Sequence, residues 1–236
     1  MKKLPIDLIT INTINSSTAL KTLDFCNQFF KFNNSIVVTK EIVNYKDYIN
    51  VTVDDINSIN DYNNFCLKLN KIIKSDFCLV VQDDGHIVNP DKWEDSFLNF
   101  DYIGAPWPSS KSWIKRFKKL GQNDYRKIKE NFKLNRVGNG GFSLRSKKFL
   151  EYSSTFQNTN NISEDIFLCI LNYSTAKFSD IQFADFNTAM KFSYETPLKG
   201  FNKKRENSKG KFEFDQFGWH GERFTNSTEL LNLKFR

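Results

Sequence analysis

The chain of 236 residues has only two histidines and four cysteines, and no two cysteines stand in a C-x-x-C spacing. Cys26, Cys66, Cys78 and Cys169 lie in apolar surroundings, which argues against zinc or a disulfide framework and for buried thiols in a reducing compartment. Also missing is any apolar run near the roughly 18 residues that a bilayer crossing needs. Near the start, Pro5 and Asp7 interrupt what would have to be the apolar core of a secretion signal. A cytoplasmic location is the expectation. No low-complexity stretch divides the chain, so one domain over 1–236 is expected.

What is present is aromatic and unevenly charged. Phenylalanine alone accounts for 24 residues, enough to expect a packed core rather than disorder. Between Lys111 and Arg136 ten basic residues face only Asp124 and Glu130, and between Lys199 and Lys211 six face only Glu206. These segments carry +8 and +5, so a net charge of +7 leaves about −6 for the rest. An acidic body with two basic segments suggests anionic partners met at particular places: a pyrophosphate, a phosphorylated acceptor or, for 111–136, peripheral contact with a membrane surface. A solvated helix face explains such runs as well.

Ile6 to Ile11 alternates as a strand, Ser17 or Thr18 can cap a helix through Leu20, Leu23, Phe25 and Phe29, and Ser35 to Thr39 reads as a second strand. This β-α-β start implies parallel strands. Val51 to Val53 suits a short strand, and Asp61 can cap a helix through Tyr62, Phe65, Leu69 and Ile73. That helix leads into Phe77 to Val81, an apolar strand ending in Gln82-Asp83-Asp84-Gly85-His86. Acids at the carboxyl end of such a strand are placed to hold a divalent cation and a nucleotide's phosphates, although Asp-Asp-Gly also suits a plain turn. Asn89 to Phe97 predicts a short helix, and Tyr102 to Pro108 an apolar segment closed by prolines. The basic 111–136 segment predicts two amphipathic helices forming an insertion. Val137 to Arg145 sets three glycines around Asn139, which permits positive φ or close approach of a ligand. Ser146 and Ser163 are candidate helix caps, Ile181 to Phe186 a possible strand, and 199–211 a mobile basic loop.

Taken in order, the acidic strand end at Asp84, the glycines from Gly138 to Gly141, the pair Glu164-Asp165 opening a helix and the late His220 resemble the GT-A fold of nucleotide-sugar glycosyltransferases. More closely, Gln82-x-Asp84-Gly85, Asp101-Tyr102-Ile103-Gly104-Ala105-Pro106-Trp107 and Val137-Gly138-Asn139-Gly140-Gly141-Phe142-Ser143-Leu144-Arg145 are similar to an uncharacterised, largely bacterial family of GT-A-like proteins, over about 6–221. The resemblance implies an α/β fold, a GT-A-type (Rossmann-like) domain with a mostly parallel central sheet flanked by helices. It implies Mn²⁺ or Mg²⁺ held by Asp84 and His220, with Gln82 standing where the family's Asp-x-Asp motif has its first acid and contacting ribose. Asp83 is an additional acid beside them.

By the same resemblance Asp165 is the catalytic base, paired with Glu164. Asn139, Gly140 and Gly141 would lie along the donor sugar, Thr10, Asn12 and Thr13 near the nucleobase, and Lys203, Lys204 or Arg205 over the diphosphate. The implied activity moves a sugar from a nucleotide sugar, UDP foremost, to a hydroxyl of a glycan or glycoconjugate with inversion. Two alternatives stay open: a nucleotidyltransferase on a similar sheet, and a non-catalytic module binding anionic glycan or nucleic acid. No nucleic-acid motif is present, so no nucleic-acid partner is expected.

Overall fold

The computed structural model describes residues 1–54, 56–108, 110–158, 162–195 and 215–221. The chain opens with β1 (Lys2–Lys3), β2 (Asp7–Ile11), α1 (Ser16–Asn27), β3 (Phe30–Lys31), β4 (Asn34–Thr39) and β5 (Ile49–Thr52). It continues through α2 (Ile59–Cys66), β6 (Phe77–Val81), β7 (Gly85–Ile87) and β8 (Tyr102–Pro106). Next come α3 (Lys111–Lys115), α4 (Gln122–Asn131), β9 (Val137–Ser146), α5 (Lys147–Ser154) and α6 (Glu164–Ile166). After these follow α7 (Tyr173–Phe178), α8 (Phe186–Phe192), β10 (Ser193–Tyr194) and β11 (Gly218–His220).

A six-stranded sheet in the order β5-β4-β2-β6-β9-β8 forms the centre. The first four strands are parallel, and only β9 opposes its neighbours, so β8 points with the other four. This is the mostly parallel α/β sheet that the sequence leads one to expect. Side chains alternate across it. Leu8, Val37, Leu79 and Val81 pack on one face with Ala19 and Leu23 of α1. Ile9, Ile36, Val38, Cys78 and Val80 pack on the other with Cys66, Ile73 and Leu150. Coverage on both faces is why these strands read as nearly continuous apolar runs. A third cluster joins Trp107, Phe117, Ile128 and Phe132 to Phe167–Ile170, anchoring the basic segment. Each such side chain, fully buried, contributes about 1.5–3 kcal/mol. All four cysteines are free and buried.

Several local expectations are corrected. Asn15 caps α1, its Oδ1 accepting from Thr18 N at 3.1 Å; Ser17 and Thr18 do not. Ser58 caps α2, and Asp61 reaches back to accept from Ser58 Oγ at 2.8 Å and Asn57 N at 3.1 Å. Ser163 makes no side-chain cap bond, and α6 passes at once into a π-helical turn over Phe167–Leu171. Ile181 to Phe186 forms no strand beyond a bridge from Phe183 to Tyr102, because Asp185 caps α8 there. Asn89 to Phe97 forms two 3₁₀ turns, Pro90–Lys92 and Asp95–Asn99. The expected insertion is two helices, α3 and α4, joined by a 3₁₀ turn over Arg116–Leu120. The basic loop 199–211 lies outside the described residues. Among the described residues no helix is long and apolar enough to cross a membrane.

Candidate active site

The chain lays β4 and β5 to one side of β2, and β6, β9 and β8 to the other. Ligands of open α/β sheets bind outside the carboxyl ends at such a reversal point. Here that crevice receives Asn12 from the end of β2 and Gln82, Asp83 and Asp84 from the end of β6. Asn12 Nδ2 donates to Asp83 Oδ2 at 2.6 Å and ties the two strand ends together. Asn12 Oδ1 meanwhile accepts from Ile14 N and Asn15 N, which fixes its rotamer.

A tight turn, Gly85 N donating to Gln82 O at 2.8 Å, reverses the chain into β7. β7 pairs antiparallel with β11, setting His220 opposite Gly85, and Gly221 N donates to Asp84 O at 2.9 Å. A residue distant in sequence is thereby delivered to the strand end. His220 Nε2 lies 3.2 Å from Asp84 Oδ1 and 3.1 Å from Gln82 Oε1. Gln82 Nε2 donates to the Tyr62 hydroxyl at 2.7 Å, which turns its carbonyl toward the histidine. Burial opposes the imidazolium, but the Asp84 hydrogen bond and charge, with help from Glu195 and Asp165, raise His220 above the ordinary histidine value. Burial likewise opposes ionised Asp84, and His220 outweighs it, lowering that carboxyl.

Asp84 Oδ1, His220 Nε2 and Gln82 Oε1 thus converge. Among the described residues no group of three His, Cys, Asp or Glu side chains could hold a metal. A cation here would have one carboxylate, one imidazole and one amide oxygen, and would need further oxygens from a ligand or water. That hard, oxygen-rich set fits Mn²⁺ or Mg²⁺ better than zinc. His220 Nδ1 is buried with no hydrogen-bond partner among the described residues, 3.9 Å from Glu195 Oε1.

The other wall comes from β9. Between the pairs Ile103–Leu144 and Ala105–Asn139, β8 contributes only Gly104 while β9 contributes residues 140–143. Such a bulge re-aims side chains and frees backbone groups. Gly140 O accepts from Ser143 Oγ at 3.0 Å and Arg145 Nη2 at 3.4 Å, and Gly140 N donates to Asp165 Oδ2 at 3.0 Å. Asp165 Oδ1 accepts from Ile166 N at 2.6 Å. Burial first, and then the neighbouring Glu164 charge, push the Asp165 carboxyl up to about 7. A carboxyl with that value, in a cleft, can take up a proton near neutrality.

The glycines are needed for space. Positive φ occurs, among described glycines, at Gly121 and Gly221 and not in β9, contrary to the sequence expectation. A Cβ on Gly140 would come within 2.7 Å of Glu164 Oε1, and one on Gly141 would collide with the His220 ring.

The structure sorts the other expected residues. Thr10 has no exposed surface and its hydroxyl is buried, so contact with a nucleobase there is corrected to a place in the sheet interior. Thr13 lines a cavity of about 390 Å³ with Lys40, Ser58 and Tyr62. Asn139 is buried, its Oδ1 accepting from Gly141 N at 3.2 Å, so it shapes the bulge. Glu164 is also buried, and its Oε1 accepts from Arg145 Nη2 at 2.9 Å, which makes it a structural partner and not a base facing solvent. Lys203, Lys204 and Arg205 lie outside the described residues. Sequence reasoning missed Tyr62, Arg145 and Glu195. Tyr62 looks like one more apolar helix position, Arg145 like the polar end of an alternating strand, and Glu195 carries no local signal.

The fold resembles that of solved structures. The galactosyltransferase LgtC, crystallised with donor and acceptor sugar analogues, is 11% identical with a TM-score of 0.52, over 97% of this chain and 96% of that one. A glycosyltransferase involved in glycosylating the major capsid of PBCV-1 is 12% identical with a TM-score of 0.51, over 97% of this chain and all of that one. At such identities the likeness establishes the fold, the GT-A type. No curated protein matches the sequence. Residues 47–210 match the model of the family described as protein of unknown function DUF5672. That match spans well over half the chain, and the chain belongs to the DUF5672 family.

Proposed function

We propose that the protein is a metal-dependent glycosyltransferase, moving a sugar from a nucleotide sugar, a UDP-sugar foremost, to a hydroxyl of a glycan or glycoconjugate with inversion. In this reading 1–236 is one functional unit and 111–136 an insertion in it. The observation that carries it is the meeting of Asp84, His220 and Gln82 at the switch point of a GT-A sheet, with Asp165 held across two adjacent glycines. Asp84, His220 and the Gln82 carbonyl would hold a divalent ion, which would offset charge building on a departing diphosphate. Asn12 and Asp83 brace the crevice, and the cavity at Thr13 and Tyr62 beside it would receive the nucleoside. Gly140 and Gly141 let the donor sugar approach the strand backbone.

Asp165 is the residue for proton transfer. Its Oδ2 is fixed by Gly140 N and its Oδ1 by Ile166 N, so the carboxylate keeps one orientation. It would take the acceptor proton as that oxygen attacks the anomeric carbon from the face opposite the leaving group. Glu164 and Arg145 would position it from below without touching substrate.

The test is incubation with UDP-, GDP- and CMP-sugars and Mn²⁺, reading donor hydrolysis and thermal stabilisation. Asp84→Ala should abolish metal-dependent stabilisation by UDP, while Asp165→Ala should keep it and lose transfer. Absence of any nucleotide effect, together with salt-sensitive binding of polyanions, would favour the non-catalytic module instead.

A further inference from the structure

A cavity of about 310 Å³ opens beside the Glu164–Asp165 pair, lined by Arg116, Phe117, Lys119, Leu120, Ile162 and Ser163. Ser163 is the residue directly before that pair, so the cavity adjoins the proposed base. Two of its walls are cationic and three apolar. Arg116 is not a loose surface arginine. Its guanidinium carbon lies 4.1 Å from the centroid of the Trp113 ring and 4.7 Å from that of Phe117. Trp113 in turn stacks on Phe132 at 4.8 Å and packs against Trp107 at 5.6 Å. A planar guanidinium stacked on such a platform is pre-organised to receive an anion.

The charge in this cavity is also unspent. Among the described residues the lysines and arginines in salt bridges are Lys2, Lys46, Lys148, Lys191 and Arg145, whereas neither Arg116 nor Lys119 forms one. Burial lowers the Arg116 value while the charges of Asp165 and Glu195 raise it, so the guanidinium stands within electrostatic reach of the catalytic side. A helix face that merely met water would need neither the concavity nor the aromatic brace. Its volume is at the small end of the roughly 300–1,000 Å³ typical of ligand sites, enough for one anionic group and part of a sugar.

We propose that this cavity is the acceptor subsite, and that Arg116 and Lys119 select an acceptor glycan bearing an anionic group, a phosphate or a carboxylate. The assignment rests on the glycosyltransferase reading. Phe117, Leu120 and Ile162 give the sugar ring an apolar wall, and Ser163 leads from the anion to the base at Asp165.

The experiment measures binding of three probes to the full chain with UDP and Mn²⁺ present: mannose 6-phosphate, glucuronic acid and neutral mannose. Ligand-observed NMR or calorimetry provides the readout, at low and high salt. The expected result is at least tenfold tighter binding of one or both charged probes, which identifies phosphate or carboxylate as the group. That preference should vanish in the double variant R116Q/K119Q and survive in part in R116K, which keeps the charge and loses the planar fork. Both residues stand at the protein surface and outside the packed core, so the variants should fold, which their thermal midpoints check. Equal binding of all three probes, no binding of either charged probe, or a preference that persists in the double variant would overturn the subsite. Absence of donor hydrolysis in the wild type would count against the glycosyltransferase reading, while the probe comparison still decides the anion site.

Discussion

The His220 imidazole occupies the space that a side chain on Gly141 would need, and the same ring meets Gln82 at 3.1 Å and Asp84 at 3.2 Å. Three strands therefore share one tolerance: β9 supplies the absent side chain, β11 the ring and β6 the acidic end. A methyl group at Gly141 can be accommodated only by moving the ring off its partners. Gly141→Ala should cost about 1–3 kcal/mol of stability, as overpacking does. It should also weaken metal-dependent UDP binding more than tenfold. Urea denaturation and thermal shift with and without Mn²⁺ check the two effects; unchanged nucleotide binding would show that the ring's place does not matter.

Asp84 and His220 stabilise each other in a definite pH window when no metal is present. His220 is raised above 6.5, so its contribution is complete below about 6.5 and is lost as pH rises through the raised value. Asp84 is lowered below 3.8, so its contribution is present above about 3.8 and is lost as pH falls through the lowered value. The pair is worth most between about pH 4 and 6.5. A double-mutant cycle with Asp84→Asn and His220→Asn in chelator should give a coupling of roughly 1–2 kcal/mol at pH 5.5 and much less at pH 9. A coupling that grows with pH would contradict an ionic pair.

Asp165 works in the direction opposite to Asp84. Its carboxyl is raised to about 7 by burial and by Glu164, so the folded state holds a proton that the unfolded chain releases near 3.8. Stability from this group is complete below 3.8 and is lost as pH rises through about 7. Asp165→Asn should therefore match wild type at pH 4 and be the more stable protein at pH 8. Transfer should show the mirror image, rising with pH to a plateau with an apparent midpoint near 7 in the wild type. It should fall by roughly 10²–10⁴ in the variant. A flat wild-type profile from pH 5 to 8 would remove Asp165 as base.

The order of motifs made the sheet and the strand-end acids legible, because strands covered on both faces are apolar throughout and stop abruptly, as Val81-Gln82 does. Helix starts were less legible. At Asn15 and Ser58 several capping residues crowd together, and only the backbone geometry decides which one turns inward. Of the non-local pairs, Asp84 with His220 came from the family resemblance alone, and the others were hidden. Nothing near Gly141 reveals that a histidine must lie over it, and nothing near Glu164 reveals Arg145, since the first depends on how β9 and β11 meet in space and the second on how α6 packs on β9. Glycines beside Asn139 suggest positive φ locally, but in β9 they serve to leave room for Glu164 and His220.

The buried pair beneath the site separates structure from chemistry. Arg145 Nη2 lies 2.9 Å from Glu164 Oε1, both side chains are nearly inaccessible, and the guanidinium also spans Ser143 Oγ at 3.0 Å and Gly140 O at 3.4 Å. Removing one partner strands the other charge in the interior, so Glu164→Ala should lose about 3–5 kcal/mol. Glu164→Gln keeps an acceptor oxygen facing Arg145 and should lose less, leaving a folded protein at 25 °C. If Glu164 only positions the bulge, this variant should transfer sugar within tenfold of wild type and keep the same pH midpoint, apart from the small fall in the Asp165 value that loss of a neighbouring negative charge must bring. If Glu164 were itself the base, Glu164→Gln would be as inactive as Asp165→Asn. Since both variants carry neutral amides of nearly unchanged shape, kcat measured side by side with denaturation midpoints assigns the proton to one carboxylate or the other.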